Sequence, residues 1–456
     1  MTPAVPDSAG APEAPEVSAA LAADAVAFCS RLIRFDTSNF GGGESRGERE
    51  AAEWVAEQLA ESGLDPSVLE SAPGRANTVV RIPGADPTAP ALLVHGHLDV
   101  VPAAAADWSF PPFAGDVRDG AVWGRGALDM KDMDAMMLAF ARHLARTGTR
   151  PPRDLVLAFV ADEEDTGEYG SGFLVEKHPG LFEGVTAAVS ESGGRLLRLP
   201  SGGRLYPIAA AERGSAWLTV TARGTAGHGS RRNEDNALVK LAAAIGRVAA
   251  FRWPVRLTPT VQALLDGLAA HLGHPVDLDD LSVLGSAAPL VANTTVNSLN
   301  PTMLSAGYKH NVIPGEATAA LDGRMLPGTE AEFFATVDAL LGPDLTRSGH
   351  FEAPVSADPG ADEFAAMAAA LRAHDPQALV LPYCMTGGTD AKAFARLGIQ
   401  GYGFVPGRAP EGFDAWRYVH GVDEHIPTDS LAFGARVLTT YLMTDPRTVE
   451  NQEPPE

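Results

Sequence analysis

Five short stretches of the chain concentrate histidines and acids: HGHLD (95–99), GRGALDMKD (124–132), ADEED (161–165), SES (190–192) and HGVDEH (420–425). His97 and Asp99 stand two apart at the end of an apolar run, so their side chains share a face of an extended segment. That spacing suits His97 as a metal ligand with Asp99 accepting from its other ring nitrogen. An ordinary surface hydrogen bond would use the same two residues, and His95 reads as structural. Asp129 follows a glycine-rich approach to a helical segment, where a carboxylate either caps the helix or bridges metals. Glu163 and Glu164 are adjacent, so in an extended segment they point apart and divide labour: one holds metal, the other takes the proton of an attacking water. The alternative for the pair is a solvated acidic loop with Asp162, Asp165 and Glu168. Glu191 follows its own apolar run, and either His420 or His425 completes a metal shell. Gathered in one place, these groups repel or stay unpaired unless a cation sits between them, and the chemistry they suggest is metal-dependent hydrolysis. Two divalent ions would be balanced by Asp129, Glu164, Glu191 and a bridging hydroxide. The imidazole–carboxylate set suits zinc, with cobalt or manganese as substitutes.

Three of the five stretches directly follow runs that read as buried strands: ALLV (91–94), DLVLAFV (154–160) and VTAAV (185–189). Strands covered on both faces carry such unbroken apolar sequence, and open α/β sheets bind ligands beyond the carboxyl ends of their strands. Helical spacing occupies 18–34, 48–62 and 130–147; the Met-rich face of the last reads as core packing. NTVVRI (77–82) adds a strand and GSGFLVEKH a helix, so strands and helices alternate as in an α/β sheet with crossovers. From about residue 207 the pattern changes. AWLTVTARG, NALVKLAAAIGRVAAF, PTMLSAGYKH, GEATAALDGRML, EAEFFATVDALLG and TRSGHFEAPV read in turn as strand, helix, strand, strand, helix and strand. That order is the ferredoxin-like split arrangement, here with an insertion at about 253–300. Helices and strands then resume over 361–443. The expected domains are a tail (1–17), a catalytic domain in two pieces (18–207 and 358–445), an inserted domain (208–357) and a second tail (446–456).

Composition narrows the function. At 456 residues the chain exceeds one ordinary core. A net charge of −23 argues against nucleic acid and anionic membranes as partners. Cys29 and Cys384 are the only cysteines, too few for a disulfide framework or a cysteine zinc cluster, and a reducing cytoplasm fits them. Residues 2–16 lack the basic start and apolar core of a signal peptide, and no run approaches the roughly 18 apolar residues of a membrane span. A soluble, cytoplasmic protein is expected.

With these residues in place the chain resembles the di-zinc aminoacylase/glutamate carboxypeptidase family, which includes acetylornithine deacetylases, succinyl-diaminopimelate desuccinylases and related dipeptidases. The resemblance runs over about 18–443, through HGHLDVVP, GRGALDMKD, ADEE, GTAGHGS, NVIPGEATAALDGR, GGTDA and HGVDEHIP in the family's order. It implies a zinc-peptidase-like α/β catalytic domain with a mostly parallel sheet and an inserted ferredoxin-like α+β lid and dimerisation domain. It implies two zinc ions, one held by His97, Asp129 and Glu191, the other by Glu164, His420 and the shared Asp129. Glu163 would be the general base and Asp99 the residue behind His97. His228 matches a histidine that reaches a neighbouring subunit's site in a homodimer and stabilises an oxyanion there; read alone, it is an exposed loop histidine. Asn311 and Arg324 match residues that grip the substrate carbonyl and free carboxylate, and Arg suits a carboxylate because it donates in parallel pairs. Gly387, Gly388 and Thr389 would contact substrate, with Asp390 ordering their loop. The implied substrate is an N-acyl amino acid or a small peptide. A dipeptidase or carboxypeptidase of the same family is the alternative, and a non-catalytic metal-binding relative a third reading. Two departures stand out: Asp132 replaces a usual glycine, adding charge near the metals, and Glu191 lies between serines. Cys384 reads as a core residue.

Overall fold

The computed structural model describes residues 15–449. Most of the two expected tails, 1–14 and 450–456, lies outside the described residues, while helix α1 (Pro15–Ile33) starts inside the first of them. Helix α2 (Arg49–Glu61) follows, then strands β1 (Ser67–Ala72), β2 (Arg75–Ile82) and β3 (Ala91–His97), helix α3 (Lys131–Thr147), and strands β4 (Leu155–Val160), β5 (Val185–Ser190) and β6 (Arg204–Glu212). These strands join one large mixed sheet. β3 lies between β4 and β5 and runs parallel to both, so three carboxyl ends open on the same edge. Every residue of β3 and β4 is buried, as their unbroken apolar sequence requires. One face is covered by α1, α2 and α3, whose Met133, Met136 and Met137 are core residues.

The chain then leaves the large sheet for a four-stranded antiparallel one. Strand β7 (Gly214–Arg223), helix α4 (Ala237–Ala250), strands β8 (Ser298–Ala306) and β9 (Glu316–Met325), helix α6 (Glu330–Leu341) and β10 (Leu345–Glu352) appear in the expected order. The sheet order is β8-β9-β7-β10, the ferredoxin-like arrangement, with α4 and α6 packed over its apolar face around Phe333. β9 alternates buried positions with partly exposed ones along its length, the mark of a sheet covered on one side. Helix α7 (Asp362–His374), strand β11 (Ala378–Met385, parallel to β6), strand β12 (Gln400–Gly403, parallel to β5) and helix α8 (Thr428–Leu442) complete the large sheet and its cover.

The middle of the stretch at 253–300 does not stay with the small sheet, although Trp253 stacks on Phe333 and 298–300 begin β8. Helix α5 (Pro259–Leu272), capped by Thr258 with Pro259 in its first turn, crosses back to the large sheet. Its Leu264 and Leu268 form a separate core with Leu284, Leu290 and Val291 from the following turns and Leu381, Tyr383 and Met385 of β11. Gly267 permits the close approach, since a Cβ there would stand 2.2 Å from a Leu381 methyl. This cluster holds the 282–292 turns in place. Leu264→Ala is expected to cost about 2–5 kcal/mol in urea unfolding; a loss below about 0.5 kcal/mol would mean that the segment is not anchored through α5.

Candidate metal centre

The centre forms where β3, β4 and β5 end. His97 is the last residue of β3; Glu163 and Glu164 follow β4 by three and four residues; Glu191 directly follows β5. Asp129 enters from the turn before α3, with its peptide bond to Met130 in the cis form. Met130, not Asp129, occupies the N-cap position of α3. The Asp129 carboxylate instead lies between two imidazoles, with Oδ1 3.1 Å from His97 Nε2 and Oδ2 3.0 Å from His420 Nε2. His420 Nε2 is also 3.3 Å from Glu164 Oε1, and Glu163 Oε2 is 3.9 Å from His97 Nε2. Ligand atoms of His97, Asp129 and Glu164, and again of His97, Glu163 and Glu191, lie within 4.8 Å of one another. His425 is elsewhere: it stacks on Trp123 with ring centroids 3.9 Å apart.

Glu163 and Glu164 sit in a turn rather than in the extended segment expected from sequence, because the chain reverses at Asp162 with φ 71°. The turn is pinned by Asp99, which is fully buried and accepts the backbone N–H groups of Glu163 and Glu164, both at 3.1 Å. Asn39 Nδ2 donates to the same carboxylate at 2.9 Å and to Asp162 at 3.2 Å. Asp99 does meet the second ring nitrogen of His97, but through its backbone carbonyl at 2.9 Å; the carboxylate is 3.7 Å away. Its side chain shapes the acidic turn more than it holds the imidazole.

Two supporting residues were missed from sequence. Glu424, fully buried, accepts from the N–H groups of Gly126 (3.1 Å), Leu128 (2.7 Å) and Asp129 (3.3 Å) and pairs with Arg125 at 2.5 Å. It therefore builds the loop that presents Asp129, and the signal was a glutamate inside HGVDEH beside the two histidines considered. Glu212, at the end of β6, accepts from Thr389 Oγ1 at 2.6 Å and Thr389 N at 3.0 Å. Thr389 is thereby held by Glu212 and does not line the cavity, whereas Gly387 and Gly388 do. Asp390 accepts from buried Ser171, so it ties its loop to the segment after β4. Asp132 pairs with Arg195 at 2.7 Å, which offsets the extra charge this position carries. His95 packs on Phe394, and burial pushes its pKa down to about 3, consistent with a neutral core imidazole.

Electrostatics show what the cluster lacks. Burial and the neighbouring carboxylates raise Glu163 and Glu191 well above the ordinary range. Burial opposes charge on Asp129 too, yet hydrogen bonds from His420 and His97 hold it below the usual carboxylate value. The Asp129 and Glu164 carboxylates beside it push His420 up to about 10. Glu164 Oε1 is buried without a well-formed hydrogen bond. A surplus of inward carboxylates with an unsatisfied oxygen is the environment a divalent cation would complete. The donor set of imidazoles and carboxylates fits a metal of the zinc type.

The centre opens into a cavity of about 720 Å³. One wall comes from Tyr383, Cys384, Met385, Gly387 and Gly388, another from Gly285, Ser286, Pro289, Leu290 and Asn293, with Asp414 and Trp416 at the rim. Cys384 is both: 1% exposed, packed against Ala211 and Val261, and bordering the cavity. His228, Asn311 and Arg324 do not line it. The short pairing of Gly227–His228 with Val312–Ile313 brings His228 beside Asn311, both exposed. Arg324 lies on β9 and its guanidinium makes two hydrogen bonds to Asp322, at 2.7 and 3.1 Å.

Known proteins resemble this chain in sequence and in fold. Aminoacylase-1 of Sus scrofa is 32% identical over 285 residues, 62% of this chain and 62% of that protein. The chain thus matches somewhat under two thirds of the length of that relative. Among solved structures, the di-peptidase Dug1p of Saccharomyces cerevisiae superposes with TM-score 0.65 at 19% identity, covering 94% of this chain and 97% of that one. Human carnosine dipeptidase 1 gives TM-score 0.65 at 16% identity, covering 94% and 98%. Residues 93–444, from the end of β3 through α8, match the model of peptidase family M20/M25/M40, and the chain belongs to that family.

Proposed function

We propose that the chain is a di-zinc amidohydrolase that cleaves N-acyl amino acids bearing a free carboxylate, and that it works as a cytoplasmic homodimer. The observation that carries this reading is the Asp129 carboxylate set between His97 and His420, with Glu163 beside it and bound to neither by a hydrogen bond of normal length. His97, Asp129 and Glu191 would hold one ion, and Glu164, His420 and Asp129 the other. Bound there, divalent zinc supplies Lewis acidity, polarising the amide carbonyl and making water acidic near neutral pH. Glu163 takes the proton of the attacking water and returns it to the leaving nitrogen. Asp99 and Glu424 keep Glu163, Glu164 and Asp129 aimed inward. His228 and Asn311 of a second copy would meet the substrate carbonyl, and Arg324 its carboxylate. Their absence from the cavity wall of a single chain supports that division of labour. Similarity to aminoacylase-1 supports the deacylase reading over a dipeptidase, since the dipeptidase likeness is one of fold. Two buried free cysteines suit a reducing compartment, and no described helix is long and apolar enough to cross a membrane.

Incubating the zinc-loaded protein with pooled N-acyl amino acids and dipeptides, with products read by mass spectrometry, tests the reaction. Release of free amino acids from the acylated set is expected; cleavage of dipeptides alone would transfer the assignment to a dipeptidase. In Glu163→Gln the rate is expected to fall about 10²–10⁴-fold, with both metals still present by elemental analysis. Loss of metal in that variant would mean that Glu163 is a ligand instead. For His228, mixing inactive Glu163→Gln and His228→Ala dimers and allowing subunit exchange is expected to restore about a quarter of the wild-type rate, because half the dimers then hold one complete site. No recovery after demonstrated exchange would exclude action across the interface.

A further inference from the structure

The cavity beside the metal centre has a chemistry of its own. Apart from the metal-centre carboxylates and His420, its charged lining is Asp165 and Asp414; among the described residues no Lys or Arg borders it. Asp165 accepts from Gly43 N at 3.1 Å, and Asp414 caps a short turn by accepting from Trp416 N at 3.1 Å. Away from the centre the wall is largely apolar, with Pro289 and Leu290, Met385 and Cys384, and the Trp416 ring, 54% exposed; Ser286, Asn293 and Thr386 are its neutral polar members. Tyr383 presents its ring, with its hydroxyl engaged to the Ser192 carbonyl at 2.8 Å.

The free carboxylate of an N-acyl amino acid lies one carbon from the scissile nitrogen. Were the amino-acid half to enter this cavity, that carboxylate would face Asp165 and Asp414 on a wall that Arg324, its proposed contact, does not line. The acyl half carries no charge, and the apolar wall suits it. A volume of about 720 Å³ lies within the roughly 300–1,000 Å³ range of pockets for drug-sized ligands, far more than an acetyl group fills. The wall also has a definite origin. Leu290 and Pro289 belong to the turns that α5 carries back onto β11, so the segment inserted in the small domain is what closes the cavity.

We propose that this cavity is the acyl subsite and that it selects a long or bulky apolar acyl group, with Leu290, Met385 and Trp416 as the contacts that read chain length. The proposal rests on the deacylase reading and deepens it. A second, smaller cavity shares Ser286, Asp414 and Trp416 with the first, so a chain that outgrows the main chamber continues past Trp416.

The test is a series of N-acyl derivatives of one amino acid, from acetyl through octanoyl to dodecanoyl. In the wild-type enzyme kcat/KM is expected to rise over the series by up to about fourfold per buried methylene. Ser286→Trp, which adds bulk at an exposed wall position, is expected to cut the dodecanoyl value at least tenfold more than the acetyl value. Leu290→Ala serves as the second variant and should also compress the dependence. Binding of the same series to metal-loaded Glu163→Gln, by calorimetry, gives a readout independent of turnover, and its affinity should climb with chain length. Acetyl derivatives cleaved as well as dodecanoyl ones, with flat binding, would overturn the acyl subsite and leave the deacylase reading standing. Cleavage confined to unblocked dipeptides would overturn both, placing an ammonium near Asp165 and Asp414.

Discussion

The structure depends on one electrostatic constraint: carboxylates converge at the ends of three parallel strands, and the protein supplies almost no positive charge to meet them. Two like charges 4 Å apart repel by about 4 kcal/mol at an effective dielectric of 20. Asp129, Glu163, Glu164 and Glu191 share two imidazoles, and among the described residues none of the four pairs with a Lys or Arg. Arginines are nearby, but each is engaged one layer out. Arg75 binds Glu48 at 2.8 Å and Asp162 at 2.7 Å; Arg125 binds Glu424; Arg195 binds Asp132. The outer carboxylates are thus paired with arginines, while the inner ones are left for something that is not a side chain. Reversing the arrangement, with an arginine turned inward, would satisfy the carboxylates and leave no place for a cation.

That outer layer explains why the supporting residues are as buried as the inner ones. Glu424 and Asp99 have no exposure, and both act on backbone N–H groups. Each carboxylate gathers several amide donors and so sets the path of a loop, which in turn aims Asp129 or the Glu163–Glu164 pair. A buried carboxylate used this way costs desolvation and returns loop geometry. The same economy appears at Glu212, where a carboxylate at the end of β6 holds both the hydroxyl and the amide of Thr389.

Much of this was legible in the amino-acid sequence because strand-end chemistry leaves a linear signature. An unbroken apolar run followed by His97, by Glu163–Glu164 or by Glu191 marks both the strand and the side of the sheet where ligands gather. The ferredoxin-like small domain was legible for a similar reason, since its one-sided sheet alternates along β9. What sequence hid was contact at a distance. Nothing in 253–300 says that α5 abandons the small domain, because an amphipathic helix looks the same whichever sheet it covers. Glu424 was passed over because the two histidines beside it drew the attention, and only the fold turns it towards the amides of the Asp129 loop. Asp99 paired with His97 by spacing alone, yet its carboxylate reaches 64 residues along the chain to the turn at Glu163.

The backbone carries the last part of the argument. Of the five described residues with φ in the left-handed region that are not glycine, four, Asp162, Ser192, His420 and Asp423, lie in the segments that build or flank the centre, and Asp119 does not. Such conformations persist where surrounding structure over-determines them, and they gather at functional sites. Three of them have an identifiable purpose here. At Asp162 the reversal turns two consecutive amides onto Asp99; at Ser192 the chain swings away after delivering Glu191; at His420 it brings the imidazole back over Asp129 and Glu164. A glycine would relax the strain at Asp162 but would also remove the carboxylate that binds Arg75 and the amide of Tyr169 at 3.1 Å. Aspartate tolerates the left-handed region better than most residues, so the position needs a side chain that accepts the strain and anchors the turn at once. The centre is therefore not a cluster set loosely on loops. The Glu163–Glu164 turn and the Asp129 loop are each held by a buried carboxylate behind them, Asp99 and Glu424, which sets those ligands in place before any cation arrives.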